Sequence, residues 1–153
     1  MSSLAQSLPR RATQLYASGA RWIDSIQPVF GLALRLYVAR VFFLSGLTKL
    51  NDWTITVALF ENEYHVPLLS PALAAALGTA AELALPALLV AGLGTRLAAA
   101  ALFIFNIVAV ISYPDLSDAG LKDHVLWGAL LLVTMVYGPG KIALDNWIGK
   151  RFA

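Results

Sequence analysis

The stretch from Ser70 to Gly94 restricts the fold of this chain more than any other part of its sequence. Apart from Glu82, every residue in it is apolar or small. At about 1.5 Å per residue, a helix of this length crosses a hydrocarbon core of about 30 Å. Ser70 is a favourable N-cap and Pro71 suits the first helical position, so a helix is predicted to begin here. A carboxylate in the middle of a membrane costs about 3 kcal/mol or more, so Glu82 is predicted to face protein or water.

The composition of the chain indicates an integral membrane protein. Of its 153 residues, 59% are hydrophobic and only 13% are charged, whereas a soluble domain carries about a quarter charged residues. The net charge of +2 does not suggest a nucleic-acid partner, and the lipid bilayer is the partner that this composition predicts. With no cysteine, the chain itself holds no disulfide, thiolate nucleophile, iron–sulfur cluster or cysteine zinc site.

Four apolar segments are predicted to form an all-α transmembrane bundle, with short interfacial amphipathic helices beside it. The segments are residues 29–47, 70–94, 97–113 and 124–137, the last beginning a turn earlier near residue 121. Residues 51–64 and the C-terminal tail have the spacing of short helices at the membrane surface. Residues 29–148 are predicted to be the transmembrane domain. Residues 1–28 are predicted to be a separate cytoplasmic segment, either an amphipathic helix on the membrane or a partly disordered tail.

The charges of the loops predict that both ends of the chain lie on the cytoplasmic side of a bacterial inner membrane. Basic residues dominate the N-terminal segment, the C-terminal tail, and the link between the second and third spans, which holds Arg96. Acidic residues dominate the other two links. Since basic loops stay on the cytoplasmic side, this alternation fits a multi-pass protein of four spans with Arg96 at its inner face.

Three polar side chains of different spans are predicted to meet near the middle of the membrane. At about 1.5 Å per residue, Arg40, Glu82 and Asn106 lie about 14 to 18 Å along the first, second and third spans. An ion pair between Arg40 and Glu82 would offset part of the cost of burying each charge, and Asn106 can accept a further guanidinium hydrogen bond. This centre is either a polar clamp that specifies the fold or a site for a ligand or for protons. No catalytic residue is assigned.

A second polar cluster is predicted at the outer face, and it contains both histidines of the chain. Its members are Lys49, Glu61, Glu63, His65, Asp123 and His124. Histidine and carboxylate side chains can bind a divalent metal or titrate a quinone headgroup. Side chains two residues apart converge on one ion only in an extended strand, and a helix is predicted around residues 61–65. Ordinary interfacial capping is therefore favoured, and no metal site is assigned.

The chain resembles the DoxX family of small four-helix bacterial membrane proteins. The residues that carry this resemblance, which spans residues 35–148, are RVFFLSGLTKL from Arg40, Glu82, GLGTRL from Gly92, and Gly138-Pro-Gly140 followed by Asp145. The segment FENEYHVPLLSPALAAALGTAAEL is similar to the DoxX subgroup found beside biosynthetic genes for small metal-binding peptides.

The resemblance implies a function in outline. Family members are similar to the small membrane subunit of thiosulfate:quinone oxidoreductase and to membrane partners in thiol-oxidant defence. It therefore implies an accessory membrane subunit linked to quinone, redox or metal-binding-peptide metabolism, with quinone as the candidate cofactor. It also implies a polar signature, made up of Arg40, Lys49, Glu82, Arg96 and His124. Because the chain has no cysteine, redox work would need a bound quinone or a partner subunit.

Two other classes of function stay open on the sequence. A proton-coupled small transporter or exporter component would use Glu82 and work as an oligomer, since four short spans are few for alternating access. A non-catalytic scaffold would instead hold a partner enzyme in the membrane. The sequence does not decide whether the chain is an enzyme, or whether its partner is another protein or a second copy of itself.

Overall fold

The computed structural model describes residues 3–152, with side chains from residue 11 to residue 151. In chain order its helices are α1 (Ser3–Asn51), α2 (Trp53–Asn62), α3 (Pro71–Ala91), α4 (Thr95–Ser112), α5 (Asp118–Tyr137) and α6 (Leu144–Phe152). Four of them, α1, α3, α4 and α5, are long and apolar enough to cross a membrane. The prediction of an all-α protein with four membrane-spanning helices is therefore confirmed.

The four long helices form a bundle in which neighbours in sequence pack side by side. Helix α1 packs against α3, α3 against α4, α4 against α5, and α5 returns to α1. Phe42, Leu89 and Leu102 contribute buried side chains to the core from α1, α3 and α4. The ring of Phe42 also meets Phe105 and Trp127 edge to face, at centroid distances of 6.2 and 5.9 Å. These contacts hold the helices around the site described below.

Helix α1 differs from the prediction because it runs without interruption from Ser3 to Asn51. Within the described residues, the N-terminal segment continues the first span in the same helix. Pro28 is the strongest break signal here, but one missing N–H does not end a long helix, as Pro86 inside α3 also shows. At about 1.5 Å per residue α1 is about 70 Å long, so its N-terminal half extends beyond the bundle.

Helix α2 is the short helix predicted after the first span. The Asp52 carboxylate caps it by accepting a hydrogen bond from the Ile55 backbone N–H at 3.0 Å. On its buried face, Phe60 packs against Ala74. A Cβ added at Gly78 would lie 3.4 Å from the Phe60 ring, so the small residues of α3 make room for this aromatic side chain. Helix α2 therefore covers one end of the bundle, which we call the α2 end.

At the opposite end, called the α6 end, the C-terminal segment is fastened to the link between α3 and α4. The Asp145 carboxylate accepts hydrogen bonds from the backbone N–H groups of Gly94 and Thr95, at 2.7 and 2.8 Å. It therefore caps the first turn of α4 from a distant part of the chain. The Asp145 N–H in turn donates to the Gly92 carbonyl at 2.8 Å.

Arg35 ties α1 to the same end of the bundle. Its guanidinium donates to the Leu89 carbonyl at 3.1 Å and to the Ile142 carbonyl. Only 2% of Arg35 is exposed, so its charge is held inside by backbone oxygens. Both described ends of the chain leave the bundle at this α6 end, since α1 extends past Arg35 and α6 follows Ile142.

Gly92→Ala is expected to destabilise the protein more than Gly140→Ala. Both glycines have positive φ angles, 69° and 70°, so alanine costs similar backbone strain at either position. A Cβ at Gly92 would lie 2.5 Å from the Ala143 Cβ, whereas one at Gly140 would meet nothing within 4 Å. We expect Gly92→Ala to cost about 1–3 kcal/mol more, measured by thermal unfolding in one detergent. Equal losses would show that this contact is absent in solution.

Asp145→Asn is expected to lower stability by about 1 kcal/mol near neutral pH, because it loses a charged cap. Burial raises the pKa of Asp145, but the backbone hydrogen bonds from Thr95 and Gly94 outweigh it, so the pKa lies below its usual 3.8. The contribution of the carboxylate is therefore complete above the unfolded pKa and is lost as the pH falls through the lower folded pKa. The difference in melting temperature between the native protein and the variant should shrink as the pH is lowered. A difference that is independent of pH would contradict this account.

Candidate functional site

One face of α1 carries the residues that meet α3. Arg35, Phe42, Gly46 and Lys49 are spaced by seven, four and three positions, which is the spacing of one helical face. Gly46 lies at a close approach of the two helices, since a Cβ there would be 3.0 Å from the Cβ of Glu82. A larger residue at position 46 would push α3 away. Gly46 therefore allows Lys49, one turn further on, to reach Glu82.

Lys49 and Glu82 form an ion pair between α1 and α3. Nζ of Lys49 lies 2.6 Å from Oε2 of Glu82, and the two side chains are 12% and 8% exposed. The Ser45 hydroxyl donates to Oε1 of Glu82 at 3.1 Å and accepts from Nζ of Lys49 at 3.0 Å. Each carboxylate oxygen thus has its own donor, which is the condition for burying a charge at tolerable cost. Glu82 faces protein, as its position in the apolar stretch predicts.

The predicted ion pair between Arg40 and Glu82 is wrong. Arg40 is exposed on α1, and the partner of Glu82 is Lys49. Positions 40 and 49 are nine residues apart, and at about 100° per residue they lie on opposite sides of the helix. Counting residues along α1 places Arg40 near the depth of Glu82, but Arg40 lies on the face of α1 that points away from α3. Lys49 lies on the face of α1 that packs against α3, and its long side chain spans the difference in depth between residue 49 and Glu82.

Asn106 is buried in α4, but its hydrogen bonds go to His124 of α5 rather than to an arginine. Its Nδ2 donates to the His124 carbonyl at 3.0 Å, and its Oδ1 lies 2.8 Å from Nδ1 of the His124 ring. With the amide oxygen as acceptor, Nδ1 carries the proton. The ring of His124 also contacts Trp127 edge to face at 4.8 Å. The predicted three-residue centre is therefore replaced by two pairs, Lys49–Glu82 and Asn106–His124.

Side chains from both pairs line one cavity of about 440 Å³ inside the bundle. Its wall is mainly apolar, and aromatic rings of Phe42, Phe105 and Trp127 form part of it. The polar side chains in the wall are those of Ser45, Lys49, Tyr64, Glu82, Ser112, Tyr113 and His124. An apolar cavity of this size with a few polar groups is typical of sites for small molecules.

The cavity is closed at the α2 end by the loop that follows α2. The ring of Tyr64 contacts Phe60 and Tyr113 edge to face, at centroid distances of 5.0 and 5.2 Å. The backbone N–H of His65 donates to the Ser112 carbonyl at 2.7 Å, which joins this loop to α4. The Ser112 hydroxyl is buried and has no hydrogen-bond partner within the part of the chain that the structure describes. It lines the cavity, so a ligand there could use it.

Tyr64 is a neutral hydrogen-bond donor at this closure. Burial raises the pKa of its hydroxyl, and the neighbouring Tyr113 and Glu82 raise it further. The hydroxyl therefore stays protonated throughout the physiological pH range.

The residues of the predicted outer-face cluster do not converge on one point. Lys49 and His124 turn into the bundle, whereas the remaining members are exposed. Those exposed members are Glu61, Glu63, His65 and Asp123. Among the side chains of residues 11–151, no three from His, Asp or Glu are grouped so that they could hold a metal ion. The helical course of the chain up to residue 62 explains this, because residues two apart on a helix point in different directions.

Arg96 lies at the α6 end, in the first turn of α4. It donates to the Met135 carbonyl at 3.2 Å. A Cβ at Gly138 would lie 2.9 Å from its guanidinium, so the glycine lets the end of α5 pass close by. Arg96 thus joins α4 to the end of α5 and does not line the cavity.

Four polar residues of the cavity wall were missing from the prediction: Ser45, Tyr64, Ser112 and Tyr113. Ser45 could have been found, because it lies four residues before Lys49 on the same helical face. Tyr64 meets Tyr113, next to Ser112, only through the fold, because the loop after α2 returns to the end of α4. No short-range sequence pattern reports that contact.

The chain is therefore a small helical membrane protein. Its four membrane-spanning helices surround a cavity that has a buried ion pair in its wall. A family model described as DoxX matches residues 30–114, more than half of the chain. A protein of Haemophilus influenzae, described as an uncharacterized protein, is 34% identical over 132 residues, which cover 79% of this chain and 84% of that protein. No solved structure matches the chain. The chain therefore belongs to the DoxX family, as its motifs indicate.

Removing one partner of the ion pair is expected to be more harmful than removing both. Lys49→Met or Glu82→Met alone leaves a buried charge without its partner, which costs about 3–5 kcal/mol. The double variant carries two apolar side chains of similar length, so most of that stability should return. Thermal unfolding of the three variants in one detergent measures the difference.

Arg40→Met is the matched control for these variants. It also removes a charge from α1, but from the exposed side of the helix, so a smaller change is expected than for either single variant. If the double variant is as unstable as the single ones, Lys49 and Glu82 stabilise the protein by interactions other than their own ion pair.

Proposed function

We propose that this DoxX-family protein binds a small, mainly apolar ligand with a polar headgroup in the cavity beside Lys49 and Glu82, and that a quinone is the leading candidate. The observation that carries the proposal is a buried ion pair in the wall of a cavity of about 440 Å³. Protein interiors are close-packed, with few voids larger than a water molecule. An ion pair that served only to join two helices would need no open space beside it.

The polar groups of the wall suit carbonyl and hydroxyl groups of a ligand. Lys49 and Tyr64 can donate to a carbonyl oxygen, and Glu82 can accept from a hydroxyl. Ser112 adds a buried hydroxyl whose hydrogen bond is not used within the described residues. A quinone presents carbonyls when oxidised and hydroxyls when reduced, so this set of groups supports binding of both forms.

We further propose that the protein is an accessory membrane subunit in redox or metal-binding-peptide metabolism, in a bacterial inner membrane. Because the chain has no cysteine, thiol chemistry would belong to a partner protein, while this chain supplies the membrane-soluble ligand. Cytoplasmic placement of both termini is supported by the basic residues that share the α6 end, Arg96 with Lys150 and Arg151.

A scaffold without a ligand is the second candidate function, and the complete pairing of Glu82 favours it. Both oxygens of this carboxylate already have donors, from Lys49 and Ser45. The pair can therefore join α1 and α3 in the absence of any bound molecule. In that case the partner protein would define the function.

The ligand is tested by mass spectrometry of the protein extracted gently from its own membrane. We expect the native protein and Arg40→Gln to carry quinone in similar amounts, since Arg40 does not line the cavity. Glu82→Gln should carry at least about tenfold less, because a charged hydrogen-bonding group is worth about 1.5–3 kcal/mol. Ser112→Ala should carry less as well, and it leaves no buried charge without a partner.

Melting temperatures of the same samples separate loss of ligand from loss of fold. Equal quinone in the native protein and in folded Glu82→Gln and Ser112→Ala would contradict the ligand site. A native protein without quinone that brings down one partner protein would support the scaffold instead.

A further inference from the structure

The N-terminal half of α1 carries an apolar surface that no other part of the described chain covers. Between residues 11 and 30, nearly every side chain is exposed. The large apolar ones are Leu15, Tyr16, Trp22, Ile23, Ile26, Val29 and Phe30, with exposed fractions from 44% to 80%. We call these seven side chains the α1 stripe. So much exposed apolar area on one element marks an interaction surface.

The α1 stripe follows a seven-residue repeat. One row stands at positions 15, 22 and 29, a second row at positions 16, 23 and 30, and Ile26 lies between them. Helices that wind around one another have two apolar rows, three and four positions apart, and here the row at positions 15, 22 and 29 pairs with Ala12, Gly19 and Ile26. Arg21 and Asp24 lie on the opposite side of the helix, where they stay in water.

The course and charge of α1 favour a protein partner over the membrane surface. A chain that lies flat on lipid before a span must turn sharply where the span begins, and no break in α1 marks such a turn between this segment and Asn51. Interfacial helices also carry many Lys and Arg residues on their polar face. The segment from residue 11 to residue 30 contains only two basic residues, Arg11 and Arg21, and one acidic residue, Asp24.

We propose that the α1 stripe pairs with the same stripe of a second copy of this chain, as a parallel two-helix coiled coil beyond the α6 end. Two copies with the same orientation in the membrane extend α1 from the same face, so their helices are parallel. Arg11, Ser18 and Ser25 form the row that flanks the seam, and in a parallel pair this row faces the apolar row at positions 16, 23 and 30 of the other copy, so no like charges meet there. Seven side chains at roughly 100 Å² or more each offer on the order of 800 Å² per copy, which is the size of a standard interface.

The absence of native cysteine makes disulfide crosslinking a clean test in full-length protein. Leu15→Cys and Ile26→Cys place a thiol on the α1 stripe, and Ala17→Cys places one on the opposite side as the matched control. Equal positions face each other across a parallel pair, and a disulfide needs Cβ atoms about 4 Å apart. After mild oxidation in membranes, we expect at least about tenfold more dimer from the two stripe variants than from Ala17→Cys.

A second variant and a second measurement test whether a crosslink comes from pairing of the α1 stripes or from random collision. Adding Ile23→Glu to Leu15→Cys should abolish the crosslink without lowering the melting temperature, because this segment lies outside the bundle. A nitroxide attached to the thiol of the Leu15→Cys variant should show dipolar broadening from its counterpart in the second copy. Equal crosslinking of Leu15→Cys and Ala17→Cys would indicate random collision and overturn the proposal. A nitroxide at lipid depth without broadening would also overturn it and assign the stripe to the membrane surface.

Discussion

The ion pair between Lys49 and Glu82 is the interaction on which the site depends. A lone carboxylate in the middle of a membrane costs about 3 kcal/mol or more, and a lone ammonium costs a similar amount. The two charges therefore stabilise α1 and α3 only in the one register that brings them together. Gly46 permits that register, because any side chain there would meet Glu82. Ser45 completes it by contacting both charges, so a short segment of α1 supplies every group that the carboxylate needs.

The two ends of the bundle are held by different means, and this difference leaves room for the cavity. At the α6 end, Arg35 and Asp145 bind backbone groups of segments about fifty residues or more away in sequence. Close packing of the link against the C-terminal segment explains Gly92, since a Cβ there would lie 2.5 Å from the Ala143 Cβ, whereas Gly94 is favoured by its positive φ of 57°. At the α2 end, aromatic rings and one backbone hydrogen bond close the bundle around an open volume. Hydrogen bonds between distant segments at the α6 end thus accompany open space towards the α2 end.

The sequence predicts the helices well and the side-chain partners poorly, for a physical reason. Hydropathy and length identify spans because every backbone polar group must be satisfied within the membrane. The burial of Glu82 follows from the cost of exposing a carboxylate to lipid. Its partner, however, depends on the angle around α1 as well as on depth, and the angle selects Lys49 over Arg40. Contacts such as Tyr64 with Tyr113 depend on how a loop returns to the bundle, which no local periodicity reports.

The position of the cavity also constrains how a ligand of the proposed kind would reach it. Leu69 and Leu77 line the cavity and are exposed, at 38% and 53%, so the cavity reaches the surface of the bundle beside the first half of α3. That surface faces lipid in a membrane-spanning helix. A route through the α6 end would instead have to separate the buried core around Leu102 and the contacts of Arg35. For a ligand of the proposed kind, lateral entry from the bilayer would therefore be the path of lower cost, and such entry would favour molecules that dissolve in lipid and carry a polar headgroup.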